Sequence, residues 1–119
     1  MLDQGLPRQS RLRTPKDFAV LSRGSKRVVG SYFQIRHTPG TQEKARLGLA
    51  VSRRVSGRAV QRNRIKRQVR ESFRRHRIFL PSMDILVIAR QGAAERDNTS
   101  LHAELESLFD RLTRLKPSR

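Results

Sequence analysis

The segment from residue 58 to residue 77 constrains the fold more than any other part of the chain. Ile65, Val69 and Phe73 recur at i, i+4 and i+8, which places them in a narrow apolar stripe along one side of an α-helix. Basic and polar side chains gather on a face about 100–200° away: Asn63, Lys66, Arg67, Arg70 and Arg74. The pattern predicts a helix that packs its stripe on a core and presents the other face outward.

The charge on this helix is unusual. Residues 52–77 contain eleven Arg or Lys residues and a single acid, Glu71. A helix that only faces water usually mixes signs, because opposite charges at i,i+4 stabilise it. Here Lys66 with Arg70, and Arg70 with Arg74, place like charges at that spacing, which costs stability unless an anion relieves the repulsion. A tolerated polar surface is one interpretation, and a face that binds RNA is the better one.

The whole chain shows the same excess of basic over acidic residues. Its 119 residues, enough for one small domain, carry a formal net charge of +17, with 22 Arg and 5 Lys. Arginine binds phosphate with two parallel hydrogen bonds and stacks on bases, so the excess indicates a polyanionic partner rather than a merely solubilising surface.

The absence of cysteine excludes disulfides, zinc knuckles and thiol catalysis. No apolar run approaches the roughly 18 residues of a membrane span, and MLDQGLPRQS lacks a signal-peptide stretch. We therefore expect a cytoplasmic protein with no membrane partner.

Patterning predicts the remaining elements. Residues 1–13 form a basic arm, and a short helix runs from Thr14-Pro15 to Gly24. Residues 28–37 alternate, with Val29, Phe33 and Ile35 on the core side and Tyr32, Gln34 and Arg36 on the other. Residues 46–51 alternate as well, which predicts an antiparallel hairpin with the first strand.

Two further elements complete the prediction. The apolar run at 84–90 is typical of a strand covered on both faces, often a parallel one, and with the basic helix it makes a strand–helix–strand unit. A last helix carries Leu101, Leu105, Leu108, Phe109 and Leu112, with Asn98 and Thr99 as capping candidates. Its mixed charge indicates a scaffold element.

No catalytic centre is evident among the side chains. The three histidines, His37, His76 and His102, lie on different predicted elements, whereas a metal site needs ligands that converge. The acids include no close Asp pair of the kind that holds two metal ions, and the glycines form no phosphate-binding loop. We therefore expect no catalytic residue, no metal site and no cofactor bound by the protein itself.

Three segments carry a family resemblance. Residues 47–55 read LGLAVSRRV, residues 59–67 read AVQRNRIKR, and residues 70–74 read RESFR. In this order they strongly resemble the bacterial ribonuclease P protein, the small subunit of the ribonucleoprotein that trims the 5′ ends of precursor tRNAs. The likeness extends to the segment from Arg11 to Phe18, to the apolar strand that ends at Arg90 and to the Leu-rich last helix.

The resemblance implies a fold and a division of labour. The fold is an α+β, two-layer sandwich of three helices and a small sheet of three to four strands, related to the second domain of ribosomal protein S5, with a left-handed strand–helix–strand crossover. Residues 14–116 would form this single domain. Catalysis is expected in the RNA subunit, which holds Mg²⁺, and no obligate protein partner is implied.

The resemblance also assigns residues. Those that match the family's docking surface for the catalytic RNA are Ser52, Arg53, Arg54, Arg62, Asn63, Arg64, Lys66, Arg67, Arg70 and Arg74. Those that match the cleft for the 5′ leader of precursor tRNA are Arg11, Arg13, Phe18, Tyr32, Gln34 and Arg36. An aromatic beside a basic groove suits single-stranded RNA, although Phe18 also has ordinary core spacing. The alternative function is a ribosomal-type RNA-binding protein or RNA chaperone with no role in cleavage.

Overall fold

A computed structural model of the chain describes residues 26–40 and 43–115. These residues form a mixed four-stranded sheet and two α-helices. The predicted arm at 1–13 and the predicted helix at 14–24 lie outside the described residues, as do Arg11, Arg13 and Phe18. In chain order the elements are β1 (Lys26–Val29), β2 (Phe33–Pro39), β3 (Arg46–Ala50), α1 (Ala59–His76), a 3₁₀ turn (Arg77–Phe79), β4 (Met83–Ala89), a second 3₁₀ turn (Ala93–Glu95) and α2 (Asn98–Thr113).

The strand predicted at 28–37 is in fact a hairpin. β1 and β2 pair antiparallel across a tight turn in which the Gly30 N–H donates to the Phe33 carbonyl at 2.8 Å. The turn breaks the side-chain alternation between the two halves of the segment. Val28 therefore faces the core and Val29 is 50% exposed, so the prediction that placed Val29 on the core side is wrong.

The predicted hairpin between the 28–37 strand and the 46–51 strand is also wrong. The sheet order is β1-β2-β4-β3, so β4 lies between β2 and β3. β3 pairs parallel with β4, and β2 pairs antiparallel with β4. β4 takes the centre because it is apolar on both faces, and the long connection through α1 satisfies the crossover that parallel strands require. The predicted strand–helix–strand unit is thereby confirmed.

Both helices pack on the same face of the sheet. Ile65, Val69 and Phe73 are completely buried, which confirms the predicted stripe of α1. The rings of Phe73 and Phe109 meet with their centroids 6.1 Å apart, and join α1 to α2. The N-cap of α2 is Asp97 rather than Asn98 or Thr99, because its carboxylate accepts the Ser100 N–H at 2.8 Å; that bond lowers the pKa of Asp97 below its ordinary value.

The face of the sheet away from the helices is mostly polar. Gln34 and Arg36 of β2 stand opposite Ile88 and Leu86 of β4, and these two apolar residues form a small separate cluster with Ala50. We refer to this side, which neither α1 nor α2 covers, as the open sheet face. Within the described ranges, no helix is long and apolar enough to cross a membrane.

Candidate nucleic-acid interface

The outer side of α1 is strongly basic. Asn63, Arg67 and Arg74 are exposed, while Lys66 and Arg70 are half-buried at its edges. We call these five residues the α1 basic face. Because Ile65, Val69 and Phe73 fill the opposite side, the helix cannot turn these side chains inward without emptying the core. The sequence-based placement of the face is confirmed; its partner is not visible in the structure.

One acid moderates the repulsion on this helix. Glu71 Oε1 accepts a hydrogen bond from Arg74 at 2.6 Å and lies 3.9 Å from an Arg75 nitrogen. The Arg74 side chain remains 50% exposed, so its ion pair is a surface pair of small energy that a phosphate can replace. Lys66, Arg67 and Arg70 lie on the same helix with no second acid beside them in sequence.

Arg64 points elsewhere. Its guanidinium donates to the Asn98 side chain at 2.7 Å, to the Ala94 carbonyl at 3.1 Å and to Gln61 at 3.1 Å. Three internal acceptors hold the side chain against the start of α2. The resemblance placed Arg64 with the docking residues; the structure shows that it also joins α1 to α2, so its replacement would affect both the fold and any docking.

The segment before α1 is organised by short hydrogen bonds. The Val55 N–H donates to the Ser52 carbonyl at 3.1 Å, and the Arg58 N–H donates to Ser56 Oγ at 3.1 Å. Arg62 then reaches back to the Ser56 carbonyl at 3.0 Å. The exposed Ser52, Arg53 and Arg54 are thereby carried on a short loop that leads from the end of β3 into α1. These three residues extend the basic surface around the start of the helix, and their docking role stays a prediction.

The three residues predicted to line the sheet side of a leader cleft do not stay together. Gln34 and Arg36 lie on the open sheet face, and the buried Gln34 amide nitrogen has no hydrogen-bond partner among the residues that the structure describes. Tyr32 lies in the β1–β2 turn, packs against the core, and has the Arg96 guanidinium 5.0 Å from its ring centroid. The turn that breaks the strand therefore separates Tyr32 from the other two residues.

Glu104 of α2 holds that turn. Its carboxylate accepts the backbone N–H groups of Ser31, Tyr32 and Phe33 at 2.9, 2.7 and 2.8 Å. Gly30 completes the contact, because a β-carbon there would stand 2.5 Å from Glu104 Oε2. We call this arrangement the Glu104 clasp. Sequence reasoning missed it, since nothing local links residue 104 to a turn more than seventy residues earlier.

Glu106 makes a second set of contacts, toward α1. It accepts hydrogen bonds from Ser72 and Arg75, each at 2.8 Å, and lies 3.5 Å from His76. Burial alone would raise the pKa of Glu106, but the hydrogen bonds from Arg75 and Ser72 and the charges of His76 and Arg75 lower it. Because Glu104 and Glu106 are two residues apart on a helix, their side chains lie on opposite sides of the apolar stripe. This spacing is a sequence signal that the two acids have different partners.

The described residues contain no group of three or more His, Asp or Glu side chains that could hold a metal ion. Six of the acids in this part of the chain have internal partners: Glu71, Asp84, Asp97, Glu104, Glu106 and Asp110. The described surface therefore provides positive charge and hydrogen-bond donors on α1, and a polar face on the sheet.

Comparison with known proteins agrees with these features. The family model "Ribonuclease P" matches residues 6–113. The chain is 42% identical over 113 residues to the ribonuclease P protein component of Chromohalobacter salexigens, covering 94% of this chain and 88% of the relative. It is 39% identical over 117 residues to that of Pectobacterium atrosepticum, covering 98% of each.

Solved structures show the same fold. The Staphylococcus aureus RNase P protein superposes with a TM-score of 0.80 at 31% identity, covering 86% of this chain and 94% of that one. The Thermotoga maritima RNase P protein gives 0.74 at 33% identity, covering 89% and 97%. The small α+β domain with a four-stranded mixed sheet thus matches proteins of known structure along nearly their whole length.

Proposed function

The chain belongs to the ribonuclease P protein family, and on that premise we propose how its surfaces serve a ribonuclease P holoenzyme. Membership makes it the protein subunit of an endoribonuclease that matures tRNA 5′ ends, with an RNA subunit and precursor tRNA as partners. We propose that the α1 basic face docks on the RNA subunit, and that the open sheet face receives the 5′ leader of the substrate.

The α1 basic face carries the first part of the proposal. Five donors project from one side of a helix whose other side is completely buried, and the only acid on that helix forms a surface pair. Arginines on such a rigid support meet phosphates without first having to be ordered, and each neutralised phosphate releases counterions. Arg53, Arg54 and Ser52 continue the surface around the start of α1.

The open sheet face supports the second part. Gln34 and Arg36 lie two residues apart on this face, and both carry hydrogen-bond donors. A polar strand face beside arginine suits the backbone and bases of single-stranded RNA. We include the predicted helix at 14–24 as the opposite wall, with Arg11, Arg13 and Phe18. This third helix would complete the S5-like sandwich of the family, and we propose the family's left-handed crossover for the β3–α1–β4 unit. Tyr32 is the weakest member, since it packs against the core.

We also propose that cleavage chemistry belongs to the RNA subunit, which would hold the Mg²⁺, in the cytoplasm. The carboxylates of this chain support that assignment, because six of them already bind arginines, backbone N–H groups or a serine hydroxyl. The protein would contribute electrostatics and position: its arginines lower the repulsion between two RNAs, and its sheet face holds the leader so that the scissile phosphate reaches the RNA-bound metal.

Reconstitution tests the proposal. Protein added to a bacterial ribonuclease P RNA at low magnesium should restore precursor-tRNA cleavage, and leader affinity should fall by about 10³–10⁵ between 50 and 200 mM salt if about 6–10 phosphates are contacted. An RNA chaperone without a role in cleavage would leave the RNA inactive at low magnesium. Clean 5′ processing by RNA-free protein would instead place the chemistry in this chain and contradict the assignment.

A further inference from the structure

Two large apolar side chains are exposed to solvent just after the end of α1. Ile78 is 79% exposed and Phe79 is 66% exposed, both in the 3₁₀ turn that follows the helix. Their neighbours behave differently: Leu80 and Met83, only a few residues further on, are buried in the core. Ile78 and Phe79 are therefore exposed even though the apolar residues that follow them in the chain enter the core. We call this pair the apolar tip.

The apolar tip lies in a strongly basic stretch. Residues 72–83 contain no acid, and Arg74, Arg75 and Arg77 precede the two apolar residues directly. The acids on either side, Glu71 and Asp84, are already bound by Arg74 and Arg46. Arg77 donates to the Ala45 carbonyl at 3.3 Å, which fixes the start of the turn against the sheet. An exposed aromatic on a fixed turn, in a segment whose charged side chains are all basic, suits a partner that is both flat and negative.

A nucleotide of RNA meets both requirements, because its base offers a π-face and its phosphate a negative charge. A second copy of this chain offers a flat ring but not the negative charge, since it would bring another +17 of charge to the contact. We propose that Phe79, with Ile78 beside it, stacks on an unpaired nucleotide of the RNA subunit. The inference rests on the proposed function and deepens it, because it extends RNA contact from the α1 basic face to the end of the helix.

Two substitutions separate stacking from ordinary apolar contact. Phe79→Leu keeps most of the apolar area and removes the ring, whereas Phe79→Tyr keeps the ring. Binding to the RNA subunit, measured by filter retention across a salt series, should weaken about 5- to 150-fold for Phe79→Leu and stay near wild type for Phe79→Tyr. The loss should be the same factor at every salt concentration, since no phosphate contact is removed. Leu115→Ala, another exposed apolar residue after α2, is the matched control.

A spectroscopic readout is independent of affinity. The chain has no tryptophan, so Phe79→Trp introduces a single indole at the proposed stacking site. Its fluorescence should be quenched when the RNA subunit is added at saturating concentration, and that of Leu115→Trp should not. Thermal unfolding of each variant shows that the fold is intact, as expected for a residue with two thirds of its surface in water.

The possible failures are distinguishable. Wild-type affinity for Phe79→Leu, or unchanged Phe79→Trp fluorescence in the saturated complex, overturns the stacking site and leaves the proposed function standing. Concentration-dependent self-association that Phe79→Ala abolishes and Phe79→Leu retains would replace the nucleotide with a protein contact, and also overturns it. Failure of the wild-type protein to bind the RNA subunit removes the proposed function and the stacking site together.

Discussion

Helices α1 and α2 lie side by side on the same face of the sheet, yet they use their polar residues in opposite ways. Two acids of α2 are directed inward: Glu104 holds the β1–β2 turn and Glu106 binds Ser72 and Arg75. The bases of the α1 basic face are directed outward, whereas Arg64 and Arg75 lie on the flank toward α2. Both helices bury an apolar stripe, so the stripe alone does not distinguish a binding helix from a scaffold helix.

The comparison of the two helices shows where a very basic chain places its few carboxylates. The sequence has 10 acids against 27 basic residues, and three of the described acids, Asp84, Glu104 and Glu106, stabilise long-range contacts. Self-repulsion in such a chain opposes the compact state. The acids that join different elements offset that cost within the fold. On the α1 basic face Arg74 forms a surface pair with Glu71, and the remaining positive charge of the face is available to an external anion.

The largest expected effect comes from removing equal charge from each helix. Arg67→Ala with Arg70→Ala on α1 should weaken binding to the RNA subunit on the order of 100-fold, since hydrogen bonds to charged groups contribute about 1.5–3 kcal/mol each. The slope of log affinity against log salt should fall by about 2. The matched pair Arg111→Ala with Arg114→Ala on α2 should change affinity severalfold at most. Equal losses from the two helices would mean that only total charge matters.

The next largest effect concerns the Glu104 clasp. Glu104→Gln keeps one acceptor and loses the charge that three backbone N–H groups share, so unfolding free energy should fall by about 2 kcal/mol in a denaturant titration. Gly30→Ala should cost a similar amount, because the new methyl group occupies the position of the carboxylate. The double variant should cost clearly less than the sum; additive losses would show that the two residues act separately.

A smaller effect divides the arginines of α1 by role. Arg64→Ala should lower unfolding free energy by about 1 kcal/mol or more, because three acceptors on α1 and around the start of α2 lose their donor. The neighbouring control Arg67→Ala, on the exposed side, should change it by less than about 0.5 kcal/mol. Equal stability of the two variants would contradict the tethering role of Arg64.

The smallest effect is a dependence on pH. Because the folded-state pKa of Glu106 is lowered, its carboxylate stabilises the fold above the unfolded-state pKa, and this contribution disappears as pH falls through the folded-state value. Glu106→Gln should therefore be less stable than wild type by up to about 1 kcal/mol at neutral pH, as expected for a partly exposed pair. Thermal unfolding should show the two proteins converging below about pH 4. A gap that persists in acid would exclude this ionic origin.

The sequence by itself determined the helices and the direction of their faces. Ile65, Val69 and Phe73 predict which side of α1 is buried, and therefore which arginines face out, because a helix links residue spacing to direction without help from the rest of the chain. The last helix and the apolar strand at 84–90 were also predicted from local patterns. The family motif, read in order along the chain, predicted the function.

Only the tertiary structure decided which strands are neighbours and which polar groups meet. The alternation at 28–37 and 46–51 is consistent with adjacent strands, but the more apolar β4 takes the central position and separates them. The contacts of Glu104 with the β1–β2 turn, and of Arg64 with Asn98, join residues far apart in sequence. Local spacing cannot specify such pairs, because packing of the whole core sets the distance between them.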